Sequence, residues 1–441
     1  MKIFSPALSR LARFRYWHIE HWVNNPIAAQ REVLQDLITH GQYTQFGRKY
    51  QFANIFNIRT FKQTVPIHEY HDMKPYIDQV MEGEDSVLWN TPVKWFAKSS
   101  GTTSDKSKFI PLTEESIQDN HFQGSKDVLA LYYKAMPDSD LLTGKGLIIG
   151  GSHQVHPIKE DIQYGDLSAV LLQNSPFWAG LIRTPELSIA LMDEWEAKIE
   201  SLAQNTINED VTSIAGVPTW TLVLLKRILA LTGKKSIKEV WPNFELYIHG
   251  GVSFTPYKEQ FKKIIGADCN YLEIYNASEG FFAAQDNVKE EGMLLFLEHG
   301  IFYEFMPIEE YGKAQPMTVG LSKVVVGKNY AIVISTNGGL WRYLVGDTIQ
   351  FTNLAPYRIK VSGRLKQFIN AFGEEVIADN TDKAITDACA LFGVSLIDYT
   401  AAPVYMSDKH SGAHEWLIEF EKAPDDMNAF TICLDKNLQS L

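Results

Sequence analysis

Two short apolar runs, Glu245-Leu-Tyr-Ile-His249 and Tyr271-Leu-Glu-Ile-Tyr275, flank a capped helical stretch that starts at Thr255-Pro-Tyr-Lys-Glu and stops at Gly266. This order constrains the fold more than any other feature, because a strand, a helix and a second strand imply a right-handed crossover between parallel neighbours in one sheet. Ligands of open α/β sheets bind where such strands end. The loops that follow the two strands, Gly250-Gly-Val-Ser253 and Asn276-Ala-Ser-Glu-Gly280, therefore open on one edge.

A second polar loop lies earlier, in Trp95-Phe-Ala-Lys-Ser-Ser-Gly-Thr-Thr-Ser-Asp-Lys-Ser-Lys-Phe-Ile-Pro-Leu-Thr113. Ser99, Ser100, Thr102 and Thr103 offer hydroxyls, Gly101 allows close backbone approach, and Lys98, Lys106 and Lys108 bring positive charge. Such a set can satisfy several phosphate oxygens at once. The same composition also describes an exposed turn. Thr113 can cap a helix with Glu114 and Glu115 in its first turn, running towards Met136, which predicts a cradle between a strand and a helix.

At the crossover edge, the ring of Tyr275 and the hydroxyl of Ser278 suit a purine, and Glu279 suits the magnesium that accompanies a nucleoside triphosphate. Further on, Gly339-Leu-Trp-Arg-Tyr-Leu-Val-Gly-Asp347 places an acid where it could accept both hydroxyls of a ribose. A strand-end turn and a hairpin are the plain readings of the same residues.

Other chemistries are excluded. Gly144, Gly146 and Gly150 surround an apolar run instead of following one, unlike a dinucleotide fingerprint, and neither Gly144-Lys145 nor Gly233-Lys234 has Walker spacing. The pairs His18/His21, His68/His71 and His153/His156 lack a metal-binding context, so no metal is placed on them. A net charge of -12 argues against nucleic acid. Three scattered cysteines, Cys269, Cys389 and Cys433, indicate a reducing, cytoplasmic setting. No apolar run approaches the roughly 18 residues of a membrane span. The basic first residues, with Phe4, Leu8, Leu11 and Phe14 on one face, are expected to form a helix docked on its own domain.

The 441 residues exceed one ordinary core. Apolar spacing predicts helices over residues 26–41, 186–205 and 219–231, with a buried strand over 147–149. Close-set β runs follow at 293–298, 301–305, 317–326 and 330–335. Ser362-Gly-Arg-Leu-Lys366 joins this region to a block with core signals at Val376, Ile385 and Trp416. The boundary falls between residues 361 and 362, and the helical-looking end at Leu441 suggests a truncated second domain.

Taken in order, these motifs resemble the adenylate-forming superfamily of acyl-CoA synthetases, luciferases and adenylation domains, and within it the auxin-responsive acyl acid amido synthetases, over nearly the whole chain. Residues 99–108 are similar to the family's phosphate motif, Gly250-Gly-Val-Ser253 to its adenine loop, Tyr275-Asn-Ala-Ser-Glu279 to Tyr-x-x-Ser-Glu, and Tyr343-Leu-Val-Gly-Asp347 to its ribose motif. Ile301-Phe-Tyr-Glu-Phe-Met-Pro307 resembles a segment particular to the amido synthetases.

The resemblance implies an α/β fold, with a large N-terminal domain of mixed sheets, helices and a β subdomain (residues 1–361), and a smaller α+β C-terminal domain (362–441) joined by a hinge. It implies that ATP meets Ser99, Ser100, Gly101, Thr102, Thr103, Lys108, Gly250, Gly251, Val252, Tyr275, Asn276, Ser278, Asp347 and Arg364. Mg2+ falls to Glu279, and Lys108 and Glu279 take the catalytic roles. The implied reaction activates a small-molecule carboxylic acid as an acyl-adenylate, then transfers it to an amino acid amine. An acyl-CoA ligase and a non-catalytic nucleotide- or acid-binding protein are the alternatives. Gly363 replaces the acid common at the hinge of acyl-CoA synthetases, and no late lysine loop of the acyl-CoA type precedes Leu441. Arg183, Trp220 and Tyr247 are candidates for the acyl pocket wall.

Overall fold

The structure is a computed structural model that describes residues 5–99, 107–151, 155–192, 194–266, 268–365, 378–404 and 413–439. In chain order its strands are β1 (Trp95–Ser99), β2 (Lys108–Leu112), β3 (Lys145–Ile148), β4 (His156–Lys159), β5 (Ile162–Gly165), β6 (Arg183–Thr184), β7 (Val211–Ala215), β8 (Leu246–His249) and β9 (Asn270–Ala277). Then come β10 (Gly280–Ala284), β11 (Met293–Leu295), β12 (Ile301–Pro307), β13 (Asn329–Thr336), β14 (Tyr343–Leu354), β15 (Tyr357–Arg364), β16 (Ser395–Val404) and β17 (Ala413–Lys422).

The helix Pro26–Gly41 has the expected bounds, with Pro26 in the first turn, where a missing N–H costs nothing. It buries Val33, Leu34, Leu37 and Ile38. Its Gln30 amide donates to the carbonyls of Leu297 and Ile301 at 2.9 and 2.8 Å and accepts from Tyr303 N at 2.8 Å, which stitches the helix to β12. The preceding helix, Ser5–Asn24, docks through Arg15, whose guanidinium meets the buried Asp127 at 2.7 Å. His299 takes the other oxygen of that carboxylate at 2.9 Å.

Strands in the order β2-β1-β5-β4 make one sheet. Here the expectation of a cradle between strand and helix is corrected: β1 and β2 pair antiparallel with Ser99 opposite Lys108, so the polar loop closes a hairpin. Lys-Phe-Ile-Pro-Leu reads poorly as a strand because of Pro111, yet β2 is an edge strand, where proline is tolerated. Thr113 then caps the next helix as expected, accepting from Ser116 N at 3.0 Å. That helix passes through a π-helical turn, Ser116–Phe122, into Gln123–Ala135.

A second sheet runs β12-β13-β14-β15-β11-β10-β9-β8-β7-β3-β6. β8 and β9 pair in parallel, as the crossover requires, and β9 pairs antiparallel with β10. The parallel strands and the β-rich segment are therefore halves of one sheet that meet at β9. Two expectations need correction. Residues 317–326 are not a strand: they make only isolated bridges, Val319 to Phe305 and Val326 to Phe351, while Met317, Val325 and Val326 are exposed. The helix expected over 186–205 divides into Leu187–Ala190 and Trp195–Thr206, because the Glu194 carboxylate accepts from Glu196 N and Ala197 N and starts a new helix. The apolar spacing spans that break and hides it.

The last block consists of Ala378–Phe392, β16, β17 and Met427–Gln439. β15 continues unbroken past residue 361 to Arg364. Lys366 and Val376 lie outside the described residues. Ile385 is fully buried, and Trp416 stacks on Tyr399. Ala384, Ile385, Ala388, Leu396 and Phe430 share one apolar cluster with Tyr247, Phe254, Tyr257 and Phe261. Gln260 donates to Leu396 O at 2.6 Å across the same contact. Among the described residues no helix is long and apolar enough to cross a membrane.

Candidate active site

Four segments distant in sequence converge at the end of β9. Tyr275, on β9, donates its phenolic hydrogen to Oδ2 of Asp347, on β14, at 2.8 Å. Arg364 Nε, on β15, stands 3.4 Å from the other oxygen of that carboxylate. Asp347 and Arg364 are register partners, and the residue before each is a glycine with positive φ, +99° at Gly346 and +152° at Gly363. A side chain at either position would strain the backbone. Glycine there lets the two strands bend while both charged side chains keep facing each other.

Glu279 sits in the turn between β9 and β10, half-buried. Burial pushes its carboxyl up to about 7, and the nearby Asp347 adds to the rise against the pull of Lys108 and Arg364. Burial also raises Asp347 above the usual carboxylate range, opposed by Arg364, Tyr275 and Lys108. Two carboxyl groups close enough for Asp347 to raise Glu279, beside two cations, offer oxygen donors for a hard divalent cation that also meets phosphate. Oxygen donors of this kind fit Mg2+ with the remaining ligands from phosphate and water. Tyr343 is buried, and its hydroxyl has no hydrogen-bond partner among the described residues. Burial and the Glu279 charge together push that phenol far up.

The loop after β8 is built for close approach. A Cβ on Gly250 would stand 2.5 Å from the carbonyl oxygen of Ile274, and Gly251 has φ +84°. His249 at the strand's end stacks on Phe254 at 4.1 Å and is kept neutral by burial, its pKa pushed down to about 3. Val252 is exposed at the tip. The register of His249 against Glu273 sets the loop beside the end of β9, so both loops do open on one edge. Asn276 and Ser278 are half-buried at this end of the β9–β10 hairpin. The hairpin is fixed by Asn120 of the π-helical turn, which accepts from Phe281 N at 2.7 Å and donates to His299 O at 3.0 Å.

Ser99 ends β1 opposite Lys108, whose ammonium lies 5.8 Å from the centre of the Tyr70 ring. Ser100, Gly101, Thr102 and Thr103 lie outside the described residues, as does Lys106. The three pocket-wall candidates each make separate contacts. Tyr247 is fully buried with its hydroxyl donated to Gly216 O at 2.9 Å, Trp220 packs on Trp195, and Arg183 reaches Ser175 Oγ at 3.3 Å. No group of three or more His, Cys, Asp or Glu side chains that could hold a metal ion occurs among the described residues. Sequence reading missed Asn120, Tyr70 and the Tyr343 hydroxyl. Of these only Tyr343 carried a signal, as the first residue of its motif.

Comparison with known proteins gives the following. The GH3 family N-terminal domain matches residues 15–269, the GH3 family central domain residues 294–364, and the GH3 family C-terminal domain residues 379–441. The chain is 23% identical over 470 residues to indole-3-acetic acid-amido synthetase GH3.2 of Arabidopsis thaliana, covering 87% of this chain and 82% of that one. Its fold is similar to the solved AtGH3.15 acyl acid amido synthetase in complex with 2,4-DB, with a TM-score of 0.79 at 19% identity, over 96% of this chain and 84% of that chain. It is also similar in fold to a 2-hydroxyisobutyryl-CoA ligase in the postadenylation state, with a TM-score of 0.61 at 12% identity over 94% and 82%.

Proposed function

The chain belongs to the GH3 family, and on that premise we propose that it is an ATP-dependent acyl acid amido synthetase. A carboxylic acid attacks the α-phosphate of ATP, pyrophosphate leaves, and the amine of an amino acid then takes the acyl group and releases AMP. The observation that carries this reading is the meeting of Tyr275, Glu279, Asp347, Arg364 and Lys108 from four distant segments. Bound Mg2+ would neutralise charge on the phosphates. Glu279 would hold it, and the neighbouring carboxylate of Asp347 would accept from the ribose hydroxyls while Tyr275 orients that carboxylate.

Lys108 offsets the charge that develops on the phosphate oxygens, acting with the hydroxyls of the hairpin loop from Ser99 onward. The glycine backbone of Gly250 and Gly251 allows the adenine to lie close to the sheet edge. Little covalent work falls to the protein, and rate comes from holding carboxylate and α-phosphate in line. Residues 1–361 would bind ATP and the acid, and 362–441 would turn about Ser362–Lys366 between the half-reactions.

ATP–pyrophosphate exchange over a panel of aryl, indole and fatty acids tests the first half-reaction, and mass spectrometry of products with mixed amino acids or CoA tests the second. Exchange with at least one acid and an amide product is expected. Exchange with none would defeat the adenylation reading, and a thioester without amide would make the protein an acyl-CoA ligase.

A further inference from the structure

The two sheets that carry this site are not joined by strand pairing among the described residues, since Lys108 is on the four-stranded sheet and Tyr343 and Asp347 are on the large one. Three consecutive residues bridge them. His68 N donates to Arg342 O at 2.9 Å and His68 O accepts from Leu344 N at 2.9 Å, so His68 lies alongside Tyr343 like a short parallel strand. Its Nδ1 stands 3.0 Å from Trp341 O, which assigns the hydrogen to Nδ1 and leaves Nε2 to accept from Tyr50 at 3.3 Å. The strand side of this clamp is itself fixed, because Arg342 binds Glu304 through two hydrogen bonds of 2.8 and 2.9 Å.

Two residues on, Tyr70 opens the helix Tyr70–Met81, which is secured by a capping box between Glu69 and Asp72. The Tyr70 hydroxyl accepts from Phe109 N at 2.8 Å, and its ring faces the Lys108 ammonium. Lysine has a long flexible stem, and a fixed aromatic face limits where its charge can sit.

We propose that Tyr70 is a positioning residue that sets the Lys108 ammonium at a fixed reach from Glu279 and Asp347, with His68 as its anchor on β14. The segment thereby converts two separate sheets into one nucleotide site. This inference rests on the adenylation reading for its role in turnover, but its effect on nucleotide binding can be read without turnover.

The experiment compares Tyr70→Leu and Tyr70→Phe, in the wild-type and Lys108→Met backgrounds, by KM for MgATP and for the acid in pyrophosphate exchange, by MgATP affinity in calorimetry, and by Tm. Tyr70→Leu is expected to raise KM and Kd for MgATP about tenfold, the sum of a lost hydrogen bond and a lost ring contact, with KM for the acid within about twofold. Tyr70→Phe keeps the ring and should raise them about threefold. In the Lys108→Met background neither change should add more than about twofold, because the cation they position is gone. MgATP affinity unchanged by Tyr70→Leu, or the same loss repeated without the lysine, would overturn the proposal. Should Tyr70→Leu fail to fold, the Phe variant decides by the same two comparisons. Absence of exchange in the wild type would defeat the adenylation reading alone, and calorimetry would still judge Tyr70.

Discussion

Tyr275 and Asp347 touch at 2.8 Å although three strands, β10, β11 and β15, separate β9 from β14 in the sheet. Four strand spacings span about 19 Å in a flat sheet. The antiparallel half must therefore curl back on itself, and the Gly280 position, where a Cβ would strike Ile301 of β12, belongs to the same curl. The site is a product of that curvature.

Tyr275→Phe removes the donor that holds Asp347. Loss of one hydrogen bond to a carboxylate is expected to raise KM for MgATP about tenfold, with Asp347→Ala costing ten- to a hundredfold. Steady-state exchange kinetics at saturating acid would measure both. An Asp347→Ala variant with unchanged ATP affinity would remove the ribose assignment.

Glu279→Gln should lower activity and raise stability. The folded state keeps this carboxyl protonated up to about 7, against an ordinary value of 4.5, so it binds more protons than the unfolded chain in that window. Stability accordingly falls as pH rises from 4.5 to about 7, by up to about 3 kcal/mol at pH 8. The glutamine variant should melt higher than wild type at pH 8, the gap should shrink at pH 5, and exchange should drop at least about tenfold. A lower melting temperature at pH 8 would contradict the geometry.

Acid should weaken the fold through its buried histidines. His121 and His249 are held neutral, with values pushed down to about 4 and about 3 by burial, and burial lowers His68 as well. The unfolded chain protonates them near 6.5, so stability drops as pH falls below that, by about 2 kcal/mol at pH 5 for each of the first two. Neither ring nitrogen of His121 has a partner among the described residues. His121→Leu should thus be tolerated at pH 7 and should flatten the acid slope of thermal melts. A slope unchanged by that substitution would assign the acid loss elsewhere.

Gly250→Ala forces a methyl against backbone, and the adjoining strands must give way. A cost of about 1–3 kcal/mol in stability is expected, with a loss of nucleotide affinity. Gly180→Ala is the control, since a Cβ there meets nothing within 4 Å. Calorimetric titration with MgATP and parallel melts would separate the two.

Much of this was legible in the sequence where one local signal sufficed. The β8–β9 crossover follows from two apolar runs and a helix between them, and the helix Pro26–Gly41 from spacing and its end residues. Glu279 and Asp347 were singled out by motif chemistry, and the structure brings the two carboxyls close enough to interact. The hairpin at β1–β2 was not legible, since pairing of Ser99 with Lys108 is a relation between strands and leaves no periodicity. Tyr70 was hidden for the same reason: its partners lie 38 and 39 positions away in the chain, and nothing local marks an aromatic residue as the face for a distant lysine. Glu194 shows a third limit, where a cap interrupts a helix whose apolar spacing runs on unchanged.

The apolar contact between the last block and the residues around Phe254 and Tyr257 has a kinetic consequence. Under the proposed turning of that block about Ser362–Lys366, Ala384, Ile385 and Ala388 part from their cover and both faces are wetted. A step limited by such wetting carries a positive heat capacity of activation. Eyring plots of amide formation should then curve, while those of pyrophosphate exchange, which needs no such parting, should stay straight.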